Sequence, residues 1–432
     1  MNITVEPSIL GDRVRVPTSK SEAHRLLIAA ALSAMYGCDK EKIYFVECAD
    51  TNQDIDATAR CLCGMGADIR RSGNGFFVTP ITPESLKRVQ DGAVIDCGES
   101  GSTLRFLLPV IPALGLNVKL RLHGRLAKRP LAPLDEELVN HGATLSFVEE
   151  DLLFVGGKLD KGDAFSIRGD VSSQFVSGLL FALPLLARDC TLTVTGKMES
   201  VPYVLMTLDA LYKFTDRVRG ELPNFSVLKS GSCKNFSLAA EGDWSAAAFW
   251  LVAGAVGKRA VTVEGINTDT RQGDSKIIDV LRSFGANIEV DTDGVTAYPS
   301  KLHGTTVDAS QIPDLVPIVA TLASVAEGKT EICGAERLKL KESDRLESVT
   351  KMLSALGADV TKLDDGLIIH GSKKLVGGTV DAYADHRIAM SAGIAATLCT
   401  APVTVMGAEC VAKSYPAFWE DYKALGGEID NE

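Results

Sequence analysis

The sequence predicts an α/β protein of the mixed (α+β) kind, with two domains built from six copies of one unit. Two observations carry that prediction. The first is a short pattern: a helix-ending residue, Gly-Ala or Gly-Gly, a polar residue, then an aliphatic one. It occurs as Met65-Gly66-Ala67-Asp68-Ile69, His141-Gly142-Ala143-Thr144-Leu145, Phe284-Gly285-Ala286-Asn287-Ile288, Leu356-Gly357-Ala358-Asp359-Val360 and Leu425-Gly426-Gly427-Glu428-Ile429. A degenerate copy, Phe214-Thr215-Asp216-Arg217-Val218, lacks the glycine. The copies start at 65, 141, 214, 284, 356 and 425, with gaps of 76, 73, 70, 72 and 69 residues. Each glycine suits the left-handed residue that ends a helix and releases the chain into a strand. The second observation is six stretches rich in Ala and Leu on all sides, at 21–35, 102–114, 173–187, 244–256, 314–326 and 386–398. Their starts are 81, 71, 71, 70 and 72 residues apart. A helix apolar all round belongs inside a domain.

The elements of one unit follow in order: buried helix, strand, amphipathic helix, hairpin. Turn signals mark several hairpins, at Gly73-Asn74-Gly75, Thr292-Asp293-Gly294 and Asp364-Asp365-Gly366. Six units imply pseudo-three-fold symmetry around buried helices in each of two domains, or else a solenoid. The sixth unit ends near Gly426 with no return strand, while residues 2–16 read as strand with no partner of their own. The N-terminal segment is therefore expected to supply the missing strand. That gives one domain over 18–240 and a second, discontinuous one over 1–17 plus 241–432. The chain would cross between them near Pro17 and Thr18, and again near Ala240 and Gly242.

Composition agrees with a globular protein of this size. The chain has 432 residues, 46% hydrophobic and 23% charged, which excludes a disordered segment, a collagen-like fibre and a disulfide miniprotein. Its charge is 45 − 56 = −11, a poor match for nucleic acid or an anionic membrane. The longest apolar runs, at 175–187 and 246–257, fall short of the roughly 20 residues that span a bilayer. The first residues lack the form of a signal peptide, so a cytoplasmic location is expected. Ten cysteines are scattered without a CxxC pair or a histidine cluster. They read as reduced, mostly buried thiols, with no metal site.

The starts of the buried helices carry an unusual polar load. They read Pro17-Thr18-Ser19-Lys20-Ser21-Glu22-Ala23-His24-Arg25, Gly98-Glu99-Ser100-Gly101-Ser102-Thr103-Leu104-Arg105, Val171-Ser172-Ser173-Gln174, Gly242-Asp243-Trp244-Ser245, Ile312-Pro313-Asp314 and Ala384-Asp385-His386-Arg387. Helix N-termini expose unpaired N–H groups and attract anions. A lone Ser or Asp there is commonly only a cap. Arg25, Arg105 and Arg387 need more, because a buried arginine without partners is costly. The amphipathic helices add cations at their own starts, in Lys128-Arg129-Pro130, in Arg337-Leu338-Lys339-Leu340-Lys341-Glu342-Ser343-Asp344-Arg345 and at Lys413. Cations are unfavourable beside a helix N-terminus unless an anionic ligand is shared there. Phosphate-loop, nucleophile-elbow and HExxH signatures are absent from the sequence.

On these motifs, which run in order along nearly the whole length, the chain resembles the 5-enolpyruvylshikimate-3-phosphate synthase family. The resemblance implies the enolpyruvyl transferase fold, two domains of three βαβαββ units closing around substrate. It implies transfer of the enolpyruvyl group of phosphoenolpyruvate to the 5-hydroxyl of shikimate 3-phosphate, with loss of phosphate and no cofactor or metal. By matching motif, Lys20, Ser21, Arg25, Ser172, Ser173, Gln174, Ser200, Asp314 and Lys341 would hold shikimate 3-phosphate. Lys20, Gly101, Arg129, Gln174, Arg345, Arg387 and Lys413 would hold phosphoenolpyruvate. Asp314 would take the hydroxyl proton, and Glu342 and Lys20 would move protons at the methylene carbon. The partners implied are these two small molecules, with no nucleic acid or membrane, and a monomer. Gly101 has no side chain to crowd the inhibitor glyphosate, so sensitivity is expected. Four positions depart from the family pattern: Thr18, Gln53, Glu99 and Arg337. Two other readings compete. A UDP-N-acetylglucosamine enolpyruvyl transferase would carry a cysteine in the loop at 122–133, and none is there. A non-catalytic anion-binding homologue would be expected to lose Lys20, Asp314 or Glu342; all three are present.

Overall fold

The computed structural model describes residues 1–234, 237–372 and 374–431. The chain forms two compact units: Thr18–Ala240, here the insert unit, and Met1–Pro17 with Glu241–Glu432, here the split unit. Each encloses its own hydrophobic core.

Among the described residues there are six small sheets, and five of them share one strand order, a parallel pair followed by two antiparallel neighbours. In the insert unit Ala93–Asp96 pairs in parallel with Val118–Arg121, which pairs antiparallel with Leu152–Gly157 and so to Ala143–Glu149. Ala164–Arg168, Cys190–Thr195, Asn224–Val227 and Val218–Glu221 repeat it. The first sheet, Tyr44–Glu47, Gly75–Thr79 and Asp68–Ser72, has three strands. Its parallel position is taken by a single bridge from Glu47 to Ala239, at the end of the unit.

The split unit shows how the N-terminal segment is used. Asn2–Val5 lies between Val403–Met406 and Ile429–Asn431, antiparallel to both, and is the return strand of the sixth unit. Asp12–Arg15 runs parallel to Val261–Glu264 and opens the fourth unit. One expected strand is thus two strands in two sheets. Thr306–Asp308, Lys329–Cys333, Gly366–His370 and Asp359–Leu363 complete the set.

The buried helices are Lys20–Leu32, Gly101–Ala113 and Ser173–Ala182 in the insert unit, and Trp244–Val256, Val316–Ala323 and His386–Ala396 in the split unit. They stand at the centre because they have no polar face to turn outward: in Trp244–Val256 eleven of thirteen residues are buried. Gly178 lets two helices approach closely, since a Cβ there would fall 2.4 Å from the Arg105 carbonyl and 3.0 Å from Pro109 Cγ. Prolines shorten two of the expected helices. Pro313–Leu315 is a 3₁₀ turn before Val316–Ala323, and Leu183–Leu185 is another after Ser173–Ala182, because proline lacks the N–H of a regular turn. Gly66, Gly142, Gly285, Gly357 and Gly426 all have φ between 83° and 106°, the helix-ending role read from the repeat.

The expectation of ten reduced thiols is corrected. Cys38 and Cys233 form a disulfide with Cα atoms 5.2 Å apart across a sequence separation of 195 residues. Spacing gave no hint of it, because only the fold brings the end of the first helix to the segment before the bridge at Ala239. The other eight cysteines are free. Among the described residues no helix is long and apolar enough to cross a membrane.

Candidate active site

The insert unit carries two groups of the expected residues. Lys20, the first residue of its helix, donates from Nζ to Asp54 Oδ2 at 2.9 Å, and both side chains are largely buried. Ser21 follows it, and its carbonyl accepts from Arg25 Nη1 at 2.6 Å. Arg25 also donates to Thr207 Oγ1 at 2.8 Å and to the Tyr203 carbonyl at 3.0 Å, with its guanidinium over Phe106. Three of its five N–H donors are therefore bound within the protein. Burial lowers its pKa to about 10.

The second group gathers on the helix starting at Gly101. A Cβ at Gly101 would lie 2.6 Å from Arg129 Nη1 and 3.0 Å from Arg105 Nη1, so two guanidiniums border the backbone there. Gln174 is clamped between elements: its Oε1 accepts from Arg105 at 2.9 Å, and its Nε2 donates to Ser102 at 2.9 Å. Ser172 caps the helix Ser173–Ala182 by accepting from Gln174 N, Ser173 is its first residue, and both therefore sit at its positive end. Ser200 starts Val201–Tyr212 from the left-handed region, with φ 55°.

In the split unit the expected residues form one continuous cluster. Asp314 accepts from Arg345 Nη1 at 2.7 Å and Lys341 Nζ at 3.2 Å, and Arg387 Nη2 lies 3.2 Å from its other oxygen. Glu342 accepts from Arg345 Nη2 at 2.8 Å. Arg345 is held from below by Asp385, at 2.8 and 3.3 Å, both residues being almost wholly inaccessible. Burial alone would lower the pKa of Arg345; Asp385, Glu342 and Asp314 together overcome it and raise the value. Lys341 moves the other way, lowered by burial against the pull of Asp314. Asp385 also caps His386–Ala396 through Arg387 N and accepts from Ser343 Oγ. Tyr383 and Ala384 just before it have φ of 52° and 53°, a conformation costly for residues with a side chain, and the Ala384 carbonyl accepts from Lys413 Nζ at 2.9 Å.

The departing positions have physical explanations. Gln53 begins its helix, and the carboxylate one residue on, Asp54, is the one that meets Lys20. Glu99 turns towards the glycine of the neighbouring loop: a Cβ on Gly124 would fall 2.7 Å from its carboxylate. Arg337 donates to the Ser310 carbonyl, and Thr18 exchanges hydrogen bonds with Asp50. Sequence reasoning missed Asp54, Asp274 and the anchoring role of Asp385. Asp274 is buried, accepts from Ser245 Oγ, and is pushed up to about 6 by burial and then by Asp314, against Arg387. An acid at a helix start reads as an ordinary first-turn residue or cap, so no signal marked Asp54 or Asp274, and Asp385, though part of a noted helix start, showed nothing of its hold on Arg345.

The EPSP synthase (3-phosphoshikimate 1-carboxyvinyltransferase) family model matches residues 5–422. The chain belongs to the EPSP synthase family. It is 42% identical over 430 residues to the 3-phosphoshikimate 1-carboxyvinyltransferase of Clostridium kluyveri, covering 99% of this chain and 98% of that protein. The Clostridioides difficile protein of the same name is 37% identical over 438 residues, covering 99% and 98%. Among solved structures, EPSP synthase from Acinetobacter baumannii superposes with a TM-score of 0.79 at 25% identity, covering all of both chains. The enolpyruvyl transferase NikO from Streptomyces tendae gives 0.75 at 17% identity over 99% of this chain and 98% of that one, a likeness of fold. The EPSP synthase fold is thus the fold of this chain.

Proposed function

We propose that this EPSP synthase family member transfers the enolpyruvyl group of phosphoenolpyruvate to the 5-hydroxyl of shikimate 3-phosphate and releases phosphate. The observation that carries the chemistry is one carboxylate, Asp314, in contact with three cations, Lys341, Arg345 and Arg387. In the forward step Asp314 takes the hydroxyl proton while the hydroxyl oxygen bonds to the central carbon of phosphoenolpyruvate. Glu342 or Lys20 delivers a proton to the methylene carbon, giving a tetrahedral adduct. Removal of a proton from the resulting methyl group expels phosphate and restores the double bond.

Both substrates are polyanions and repel each other, so cations must hold them together. Ser172, Ser173, Gln174, Ser200 and Lys341 take shikimate 3-phosphate, with Lys20, Ser21 and Arg25 on its ring. Gly101, Arg129, Gln174, Arg345, Arg387 and Lys413 take phosphoenolpyruvate. The geometry adds a reason for order. Anions arriving on Arg387 and Lys341 draw those cations away from Asp314, and a carboxylate that loses cationic partners becomes a stronger base. We read the enzyme as a cytoplasmic monomer; the net charge of −11 favours an unassociated chain.

The test is phosphate release from phosphoenolpyruvate with shikimate 3-phosphate or UDP-N-acetylglucosamine as acceptor. Product with the first alone is expected. Product with the second alone would make the chain a UDP-N-acetylglucosamine transferase, and binding without product would make it a non-catalytic homologue.

A further inference from the structure

Four buried groups form one hydrogen-bonded chain through the insert unit. His24 Nδ1 lies 2.7 Å from Thr58 Oγ1, which lies 2.6 Å from Thr103 Oγ1, and Thr103 donates to Ser100 Oγ at 2.7 Å. All four residues are 0% exposed. They stand on elements that carry site residues. His24 is one turn beyond Lys20 in Lys20–Leu32, and Thr58 is one turn beyond Asp54 in Gln53–Gly64. The Lys20–Asp54 pair and the His24–Thr58 bond are therefore two rungs between the same two helices. Thr103 lies in the first turn of Gly101–Ala113, and Ser100 is its N-cap, accepting the Thr103 N–H at 3.3 Å.

The order of protons along the chain is determined. The Thr103 hydroxyl hydrogen goes to Ser100, so Thr58 donates to Thr103 and His24 donates from Nδ1 to Thr58. Nε2 is then bare, and it has no hydrogen-bond partner. Burial, with Lys20 and Arg25 nearby, pushes this imidazole well below its ordinary pKa, which keeps it neutral. A core selected for packing alone gains little from such a chain. Valine at 58 and 103 would fill the same space with no polar atom to satisfy.

We infer that His24, Thr58, Thr103 and Ser100 are positioning residues that hold Lys20 and the backbone at Gly101 in mutual register for phosphoenolpyruvate. This rests on the assignment of Lys20 and Gly101 to that substrate. A rigid link between the helix starts is needed, because a misplacement of about 1 Å can cost about 100-fold in rate.

The experiment uses steady-state kinetics of the full-length protein bearing Thr58→Val or Thr103→Val, with Thr58→Ser as the variant that keeps the hydroxyl. The valine variants should raise the KM for phosphoenolpyruvate by about 10-fold, weaken shikimate 3-phosphate binding measured alone by much less, because of the two linked groups only Lys20 touches that substrate, and keep the thermal midpoint close to wild type. Thr58→Ser should restore the wild-type KM. Wild-type kinetics in both valine variants would overturn the inference, as would an equal weakening of both substrates that serine does not rescue. If the valine variants do not fold, nitrogen-15 spectra of the wild-type histidines decide it: His24 must be neutral with its proton on Nδ1 at neutral pH, and the other tautomer overturns the network. If wild-type protein turns over neither acceptor, the proposed function fails instead, a result separate from that spectrum.

Discussion

Asp314 meets more cations than a helix-capping aspartate needs. Its contacts with Lys341, Arg345 and Arg387 tie three strands of evidence, the Pro313-Asp314 start, the basic run at 337–345 and the Asp385-His386-Arg387 start, into one side chain. Asp314→Asn keeps the shape and one acceptor oxygen but removes the carboxylate proposed as the base. Turnover should fall by about 10²–10⁴-fold while both KM values change little; unchanged turnover in the same assay removes Asp314 from the chemistry. Gly101 gives a second residue-level expectation. The methyl of Gly101→Ala would fall 2.6 Å from Arg129 Nη1 and must push that guanidinium aside. The KM for phosphoenolpyruvate should rise by about 10-fold with that for shikimate 3-phosphate unaltered, and an equal rise in both would contradict the division of roles. Residues were legible where their chemistry contradicted their setting. Arg25, Arg105 and Arg387 stood out because a buried arginine without partners is costly, and Arg345 because cations are unwelcome at helix starts. Asp54 and Asp274 did not, because acids are at home there.

At the scale of elements, the repeat made the buried helices and hairpins legible, since helix-ending glycines and all-apolar stretches are local signals. The 3₁₀ turns at Pro313–Leu315 and Leu183–Leu185 were not, because the apolar pattern continues through them while proline alone changes the hydrogen bonding. Nor was the division of residues 2–16 between two sheets, which depends on partners almost 400 residues away, such as Val403–Met406. Asp385 shows how one residue sets the relation between elements. It caps His386–Ala396 and holds Arg345, the first residue of Arg345–Ala355, through two hydrogen bonds. Asp385→Ala removes the cap and leaves a buried guanidinium short of its main anion. Breaking such a pair costs about 3–5 kcal/mol, so the urea midpoint should drop clearly even without ligand. A loss below about 1 kcal/mol would mean that Arg345 settles on Asp314 and Glu342 instead, and that Asp385 is dispensable to the fold.

At the scale of the whole molecule, stability carries a trace of the site's chemistry. The disulfide between Cys38 and Cys233 was illegible in the sequence because its partners lie 195 residues apart, and Asp274 because nothing local says that it ends up buried near another carboxylate. Asp274 has an ordinary value of 3.8 and is pushed up to about 6 in the folded chain, by burial first and by Asp314 second, with Arg387 and Ser245 opposing and Asp243 adding. The folded state therefore holds this proton more tightly than the unfolded state does. The stabilisation that follows is complete below about pH 4 and is lost as pH rises through about 6. Above that range the ionised, buried Asp274 is a standing cost to the fold. Asp274→Asn cannot ionise, so it removes the pH-dependent part while keeping an acceptor for Ser245. The stability of the variant relative to wild type should thus climb from about pH 4 to about pH 7 and then level off, as read from urea midpoints over a pH series. A gap between the two proteins that stays flat, or that shrinks with rising pH, would place the Asp274 carboxyl in a far more solvated setting than its burial beside Asp314 describes.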